Sequence, residues 1–180
     1  HPESFFPYGY DNLNVVEMQG PNSRVCFPFR RIEQLRDSPR DQVSLYRMVT
    51  LVNRIFPFTS ITRLSQHYAL SFAEPESPTR TRYYNYRLTL PAAEGEGISD
   101  EAIARAKKDV AFLSNTGDKE DAKVVRDIQA AIGSGANTHY RFGRFESAIG
   151  HLHKNLALYL ARLKSYEESV AEQNNRARLS

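Results

Sequence analysis

An α+β fold, with an antiparallel sheet built first and helices packed on one of its faces afterwards, is what the sequence predicts from three observations. From Val43 to Leu90 the residues are dominated by Val, Ile, Thr, Tyr and Phe, the types that fit a pleated, half-buried surface. Within that stretch Tyr84, Tyr86, Leu88 and Leu90 alternate with Tyr83, Asn85, Arg87 and Thr89, a period of two that predicts a strand with one covered, aromatic face. After the glycine-rich, acidic run Ala93-Glu94-Gly95-Glu96-Gly97 the apolar residues recur at helical spacing instead.

The elements follow in order. His1 to Asp11 is aromatic and broken by Pro2 and Pro7, which predicts an ordered loop or the tail of an interrupted element. Asn12 to Met18 and Arg24 to Phe29 read as two short strands, joined by the turn Gln19-Gly20-Pro21-Asn22. Arg31 to Arg36 reads as a turn or two of helix, closed by Ser38-Pro39. Val49 to Phe56, Ser60 to His67 and Tyr68 to Ala73 are three further strands of a meander, and Glu74-Pro75-Glu76-Ser77-Pro78 is a loop. Ser99 is the expected N-cap of a first helix carrying Ile103, Ala106 and Val110. A second helix is expected from about Asp118, with Val124, Val125, Ile128 and Ile132 on one stripe and Gly133 beyond its end. The third, from Arg144 to about Glu172, carries Ile149, Leu152, Leu156, Tyr159, Leu160 and Leu163, and residues 173–180 form a frayed polar tail.

Composition excludes several classes of function. The chain has 180 residues, 41% of them hydrophobic, with 10 Phe and 10 Tyr, which is enough apolar material for a folded domain. A single cysteine, Cys26, forbids an internal disulfide framework and any multi-cysteine metal cluster made by this chain alone; a small apolar role in the core suits it better. The net charge of +3 lacks the basic block that phosphate backbones require, so nucleic acid is not expected as a partner. No apolar run approaches the ~18 residues of a membrane span.

The candidate groups for chemistry are five histidines and one acidic run. His67, in a strand, and His139, in the loop after the second helix, read as structural or surface residues. His151 and His153 stand two apart on a helix, roughly 200° apart around it, and cannot share an ion. Glu146 and His153 share a helical face but span two turns. Asp118-Lys119-Glu120-Asp121 stands at an expected helix N-terminus, where acidic residues complement the helix dipole. There is no phosphate-cradling glycine loop and no serine or cysteine nucleophile arrangement.

Taken in order, Glu120-Asp121, Val124-Val125, Ile128-Gln129, Arg141-Phe142-Gly143-Arg144-Phe145-Glu146 and His151-Leu152-His153-Lys154-Asn155-Leu156 resemble the catalytic domain of Rieske-type non-haem iron oxygenases, the alpha subunits of aromatic-ring-hydroxylating dioxygenases. Gln129 follows Asp121 by eight residues, as in that family's pattern, and His1-Pro2-Glu3-Ser4-Phe5 looks like the second half of its histidine segment. The strand ending Ile55-Phe56-Pro57 and the Glu-Pro-Glu-Ser-Pro stretch fit as well. The resemblance implies a helix-grip architecture in which residues 1–172 are part of the catalytic domain. His1 and Asp121 are then ligands of a mononuclear Fe(II) in a 2-His-1-carboxylate triad, with the first histidine and the [2Fe–2S] Rieske centre outside this chain.

What else the resemblance implies is reductive activation of O2 to hydroxylate or cis-dihydroxylate an aromatic or other apolar substrate, with Phe27, Phe56, Tyr84 and Phe112 as candidate pocket residues. A ferredoxin or flavin reductase would be the electron donor, the assembly a homotrimer or an α3β3 complex, and the location cytoplasmic. The chain would be a truncated piece of that subunit, inactive alone. The rival expectation is the same fold as a metal-free domain that binds a hydrophobic ligand, which would need neither His1 nor Asp121.

Overall fold

The computed structural model describes residues 7–11, 13–45, 47–64, 67–89 and 97–179. Six strands, β1 (Val15–Gln19), β2 (Asn22–Pro28), β3 (Val49–Ile55), β4 (Thr59–Leu64), β5 (His67–Ser77) and β6 (Arg80–Thr89), form one antiparallel sheet in sequence order. Each strand therefore pairs with the next, through short connections except for residues 29–48 between β2 and β3, and the expected meander is present. The α+β class is borne out, with the helices α1 (Asp100–Thr116), α2 (Ala122–Ile132) and α3 (Ser147–Leu179) following the sheet.

Local chemistry accounts for the boundaries. The β1–β2 turn is Gly20-Pro21, where Gly20 takes φ +55, a value that favours glycine. Arg30–Leu35 forms the expected helical turns as a 3-10 helix, and Gly9 bridges Phe29 ahead of it. At the start of α1 the Ser99 hydroxyl accepts the Ala102 N–H at 3.2 Å and its carbonyl accepts the Ile103 N–H at 3.0 Å, as an N-cap should.

Three expectations are corrected. The stretch Glu74 to Ser77 is strand, not loop: β5 continues to Ser77 and the turn falls at residues 78–79. Pairing to β4 ends at Thr59 opposite Phe72, so Pro75 lies where β5 has β6 as its ladder neighbour on one side only, a position that tolerates a residue without an N–H. The break between β4 and β5 comes before His67, not after it. The helix α3 starts at Ser147 and continues to Leu179, through residues expected to be a polar tail.

The register divides the sheet into two faces. One carries Leu51, Ile61, Leu70, Phe72, Tyr84, Tyr86 and Leu88, the aromatic face expected from the alternation in β6. Phe72 stacks on Tyr84 with centroids 4.5 Å apart and on Tyr86 at 6.2 Å. That face is only part-covered, since Tyr86 remains 50% exposed and Leu88 48%. The opposite face holds the lowest exposures, at small or polar side chains: Ser23, Val25, His67, Ala69 and Ser71 are all buried.

Apolar surface is plentiful. Among the described residues, Val25, Pro28, Val49 and Ala69 are the only buried apolar side chains, and the accessible surface is 14260 Å², where a compact chain of this length would show about 9,000 Å². The α2 stripe of Val124, Val125, Ile128 and Ile132 is where the sequence placed it, but it lies open. Val125→Lys is accordingly expected to shift the stability of this chain by no more than about 0.5 kcal/mol; urea unfolding of the two proteins measures it, and a loss of ~2 kcal/mol would mean that α2 is packed.

Candidate metal centre

Helix α1, a π-helical turn over Gly117–Asp121 and helix α2 follow one another without a break. This corrects the expected helix start at Asp118. Asp121 has φ −67 and ψ −48, helical values, and its side chain makes no capping hydrogen bond. No free N-terminus lies here for the acidic run to complement, so the dipole explanation of Asp118, Glu120 and Asp121 falls away. A π turn widens a helix by about one residue per turn and is frequent at functional sites.

The electrostatics of that turn are set by two adjacent carboxylates, Glu120 and Asp121. Partial burial pushes the Asp121 carboxyl above its usual range, and the neighbouring Glu120 carboxylate pushes it further. Both causes penalise the charged form, and a cation placed against Asp121 would offset both. His1, the other expected ligand, lies outside the described residues. Among the described residues no group of three His, Cys, Asp or Glu side chains is arranged to hold a metal ion. The donor chemistry of Asp121 nevertheless fits a hard divalent cation, which takes oxygen and imidazole ligands.

The other candidates have structural surroundings. His151 Nε2 lies 2.9 Å from the Gly20 carbonyl and ties α3 to the β1–β2 turn. His153 stacks on Phe142 and Tyr140 with centroids 5.7 and 6.2 Å away, and His139 Nδ1 lies 2.6 Å from the Thr138 hydroxyl. His67, expected among polar strand residues, is buried at the start of β5. Glu146 bonds the Gly143 N–H through its carboxylate, shaping the turn into α3, and Asn14 donates to the Phe145 carbonyl at 3.0 Å. Gln129 is exposed on α2. Cys26 is half-buried, and burial, followed by the charge of Glu17, pushes its thiol up. Tyr10 and Arg36 both hydrogen-bond Glu33, which lowers the Glu33 carboxyl and fastens the loop before β1 to the 3-10 helix.

Of the four candidate pocket aromatics, Phe27 and Tyr84 occupy opposite faces of the sheet and cannot line one cavity. Phe56 packs on Tyr159 of α3 with centroids 4.8 Å apart. The side chain of Phe112 lies outside the described residues.

Comparison with protein families settles what this arrangement belongs to. The model of the ring hydroxylating alpha subunit (catalytic domain) matches residues 1–162. The chain belongs to that family. Comparisons with curated proteins and with solved structures returned no match. The match begins before β1 and ends within α3, so it takes in the whole sheet, the π turn and the greater part of the long helix. A ring-hydroxylating alpha subunit's catalytic domain is an oxygenase domain, and its helix-grip α+β fold is the one found here. No helix among the described residues is long and apolar enough to cross a membrane.

Proposed function

We propose that residues 1–172 form part of an oxygenase catalytic domain that hydroxylates or dihydroxylates an aromatic or other apolar substrate with O2, using one Fe(II) held by Asp121, His1 and a second histidine. The observation that carries this reading is the family match across the π turn, which holds an aspartate disfavoured in its charged form and explained by no helix terminus. When bound, the iron supplies the reductive chemistry of O2, with electrons from a Rieske centre fed by a ferredoxin or flavin reductase. A homotrimer or α3β3 assembly and a cytoplasmic setting complete the proposal.

The chain's own residues have definable tasks. Asp121 offers an anionic oxygen, and Glu120 beside it adds negative potential that favours a cation over a neutral ligand. The stem of α3 is held against the sheet by His151 at Gly20, by Phe145 at Asn14 and by Tyr159 on Phe56, so the helix that closes over the sheet is anchored at its N-terminal half. Apolar side chains such as Leu51, Ile61 and Leu70 offer the substrate a surface that water wets poorly.

Metal analysis is the test. A parent alpha subunit that carries the first histidine and the Rieske centre is expected to purify with iron and to lose it on Asp121→Ala, with substrate-dependent O2 uptake falling together with the metal. A protein with no iron above background, indifferent to that substitution, would instead be the metal-free ligand-binding domain.

A further inference from the structure

Helix α3 carries apolar residues at alternating intervals of three and four: Ile149, Leu152, Leu156, Tyr159, Leu163, Tyr166 and Val170, a run of three heptads. A repeat averaging 3.5 residues is the seam of a coiled coil, narrower than the stripe of a helix packed on a globular core. The first half of the seam is covered within the chain: Leu152 and Leu156 are half-buried, and Tyr159 packs on Phe56. The second half lies open, and exposure climbs from 45% at Tyr159 to 54% at Leu163 and 67% at Tyr166.

Between Leu160 and Glu172 the polar contacts among the described residues are internal to the helix, as from the Ser169 hydroxyl to the Tyr166 carbonyl at 2.7 Å and from Lys164 to Glu168 at 3.9 Å. The helix nevertheless continues to Leu179, past residue 162 where the family match ends. An apolar stripe left open along a helix marks a surface that another element covers. The charges beside the stripe say which. With Leu163 at heptad position a, Tyr166 is at d and Val170 at the next a, while Arg162 and Glu167 take the flanking positions g and e. Lys164, Glu168 and Glu172 fall on b, f and c, away from the seam. In a parallel pair of such helices each g faces the e five residues further on in its partner, so Arg162 meets Glu167 on both flanks. An antiparallel pair sets g against g and e against e, which places like charges together.

We propose that the C-terminal half of α3 is a self-association surface, which packs in parallel on the same segment of a second copy of this chain. Leu163, Tyr166 and Val170 form the buried seam, and the Arg162–Glu167 pairs fix its direction and register. The occupant is a second copy because the flanking charges complement the same helix, read in parallel. The inference goes beyond the oxygenase reading: the seam begins at Leu163, just outside the residues that carry the family match, and needs no metal.

Sedimentation of the full chain across the micromolar range tests it, with circular dichroism on the same samples. The wild-type chain is expected to self-associate as its concentration rises, and Leu163→Glu to remain monomeric with its sheet intact. Glu167→Arg should weaken association roughly tenfold, since it turns both flanking pairs from attractive to repulsive, and adding Arg162→Glu to it should restore the wild-type affinity. In a Cys26→Ser background, mild oxidation should join two copies through Leu163→Cys and not through Ala161→Cys, which lies at the outward position f. A wild-type chain that stays monomeric overturns the proposal, as it would if another part of a longer polypeptide covered the seam. So does association that a folded Leu163→Glu protein retains, or cross-linking as efficient at position 161 as at 163. Should Leu163→Glu not fold, the charge reversal decides: a double variant no tighter than Glu167→Arg alone overturns the parallel pairing.

Discussion

Replacing Asp121 by asparagine is expected to strip the parent alpha subunit of iron and, at the same time, to make the metal-free chain more stable at neutral pH. The first effect follows from removing an anionic ligand: oxygenation should fall on the order of a hundredfold or more, beyond what second-sphere changes cause. The second follows from linkage. Burial and Glu120 raise the Asp121 carboxyl above its ordinary value of 3.8, so between that value and the raised one the folded state holds a proton that the unfolded state has released. Stability contributed by this group is therefore fully present below the unfolded value and is lost as pH rises through the folded one. Above that window the charged aspartate remains a constant burden on the metal-free fold, which asparagine does not carry. Melting curves of both metal-free proteins from about pH 3 to pH 8 should converge at the acid end and separate toward neutrality, with the variant higher. A variant that keeps its iron, or melts no higher than wild type at neutral pH, contradicts the assignment. Such a trade of stability for a functional charge is what a ligand position is expected to show.

How much of this site was legible is a question of which forces act locally. The pair Glu120-Asp121 and the spacing to Gln129 pointed to the aspartate only through the resemblance to a family. The same four residues, Asp118 to Asp121, suggested a helix start, because acidic residues after a glycine commonly mark one. In the structure Gly117 does not end α1. The helix continues by widening into a π turn, and nothing in a propensity scale distinguishes a widened turn from a new helix.

The sheet was legible for a different reason. Its strands pair with their neighbours in sequence, and short turns set the register everywhere except between β2 and β3, which residues 29–48 join. Misreadings concentrate where sheet context overrides residue type. Pro75 suggested a loop, yet at a position with one ladder neighbour proline is admissible. Burial was less legible than pattern: Tyr84, Tyr86 and Leu88 do share one face, but the small residues of the other face, such as Ala69 and Ser71, are the more deeply buried. Small side chains are shielded by their taller neighbours, which a count of apolar residues does not anticipate.

That arrangement sets up the largest stability effect expected in the sheet. Phe72 joins β4 to β6 on the aromatic face: it pairs with Thr59 on one side, with Tyr84 on the other, and its ring contacts both Tyr84 and Tyr86. Phe72→Ala deletes two ring contacts, each contributing about 0.5–1.5 kcal/mol, together with the area that the ring covers. A fully buried phenylalanine would cost ~3–5 kcal/mol; for this half-buried one a loss of about 2–3 kcal/mol is expected. In a chain of this length that corresponds to a melting temperature lower by roughly 5–10 °C. Tyr84→Phe should cost much less, since it keeps the stack and gives up only the exposed bond from the hydroxyl to Glu74, 3.0 Å long. Tyr86→Ala should fall between them, because its ring is farther from Phe72 and half exposed. Urea unfolding of the three variants gives the order directly. If Phe72→Ala proved no more damaging than Tyr86→Ala, the ring of Phe72 would not be the centre of the ladder, and the aromatic face would owe its stability to backbone pairing alone.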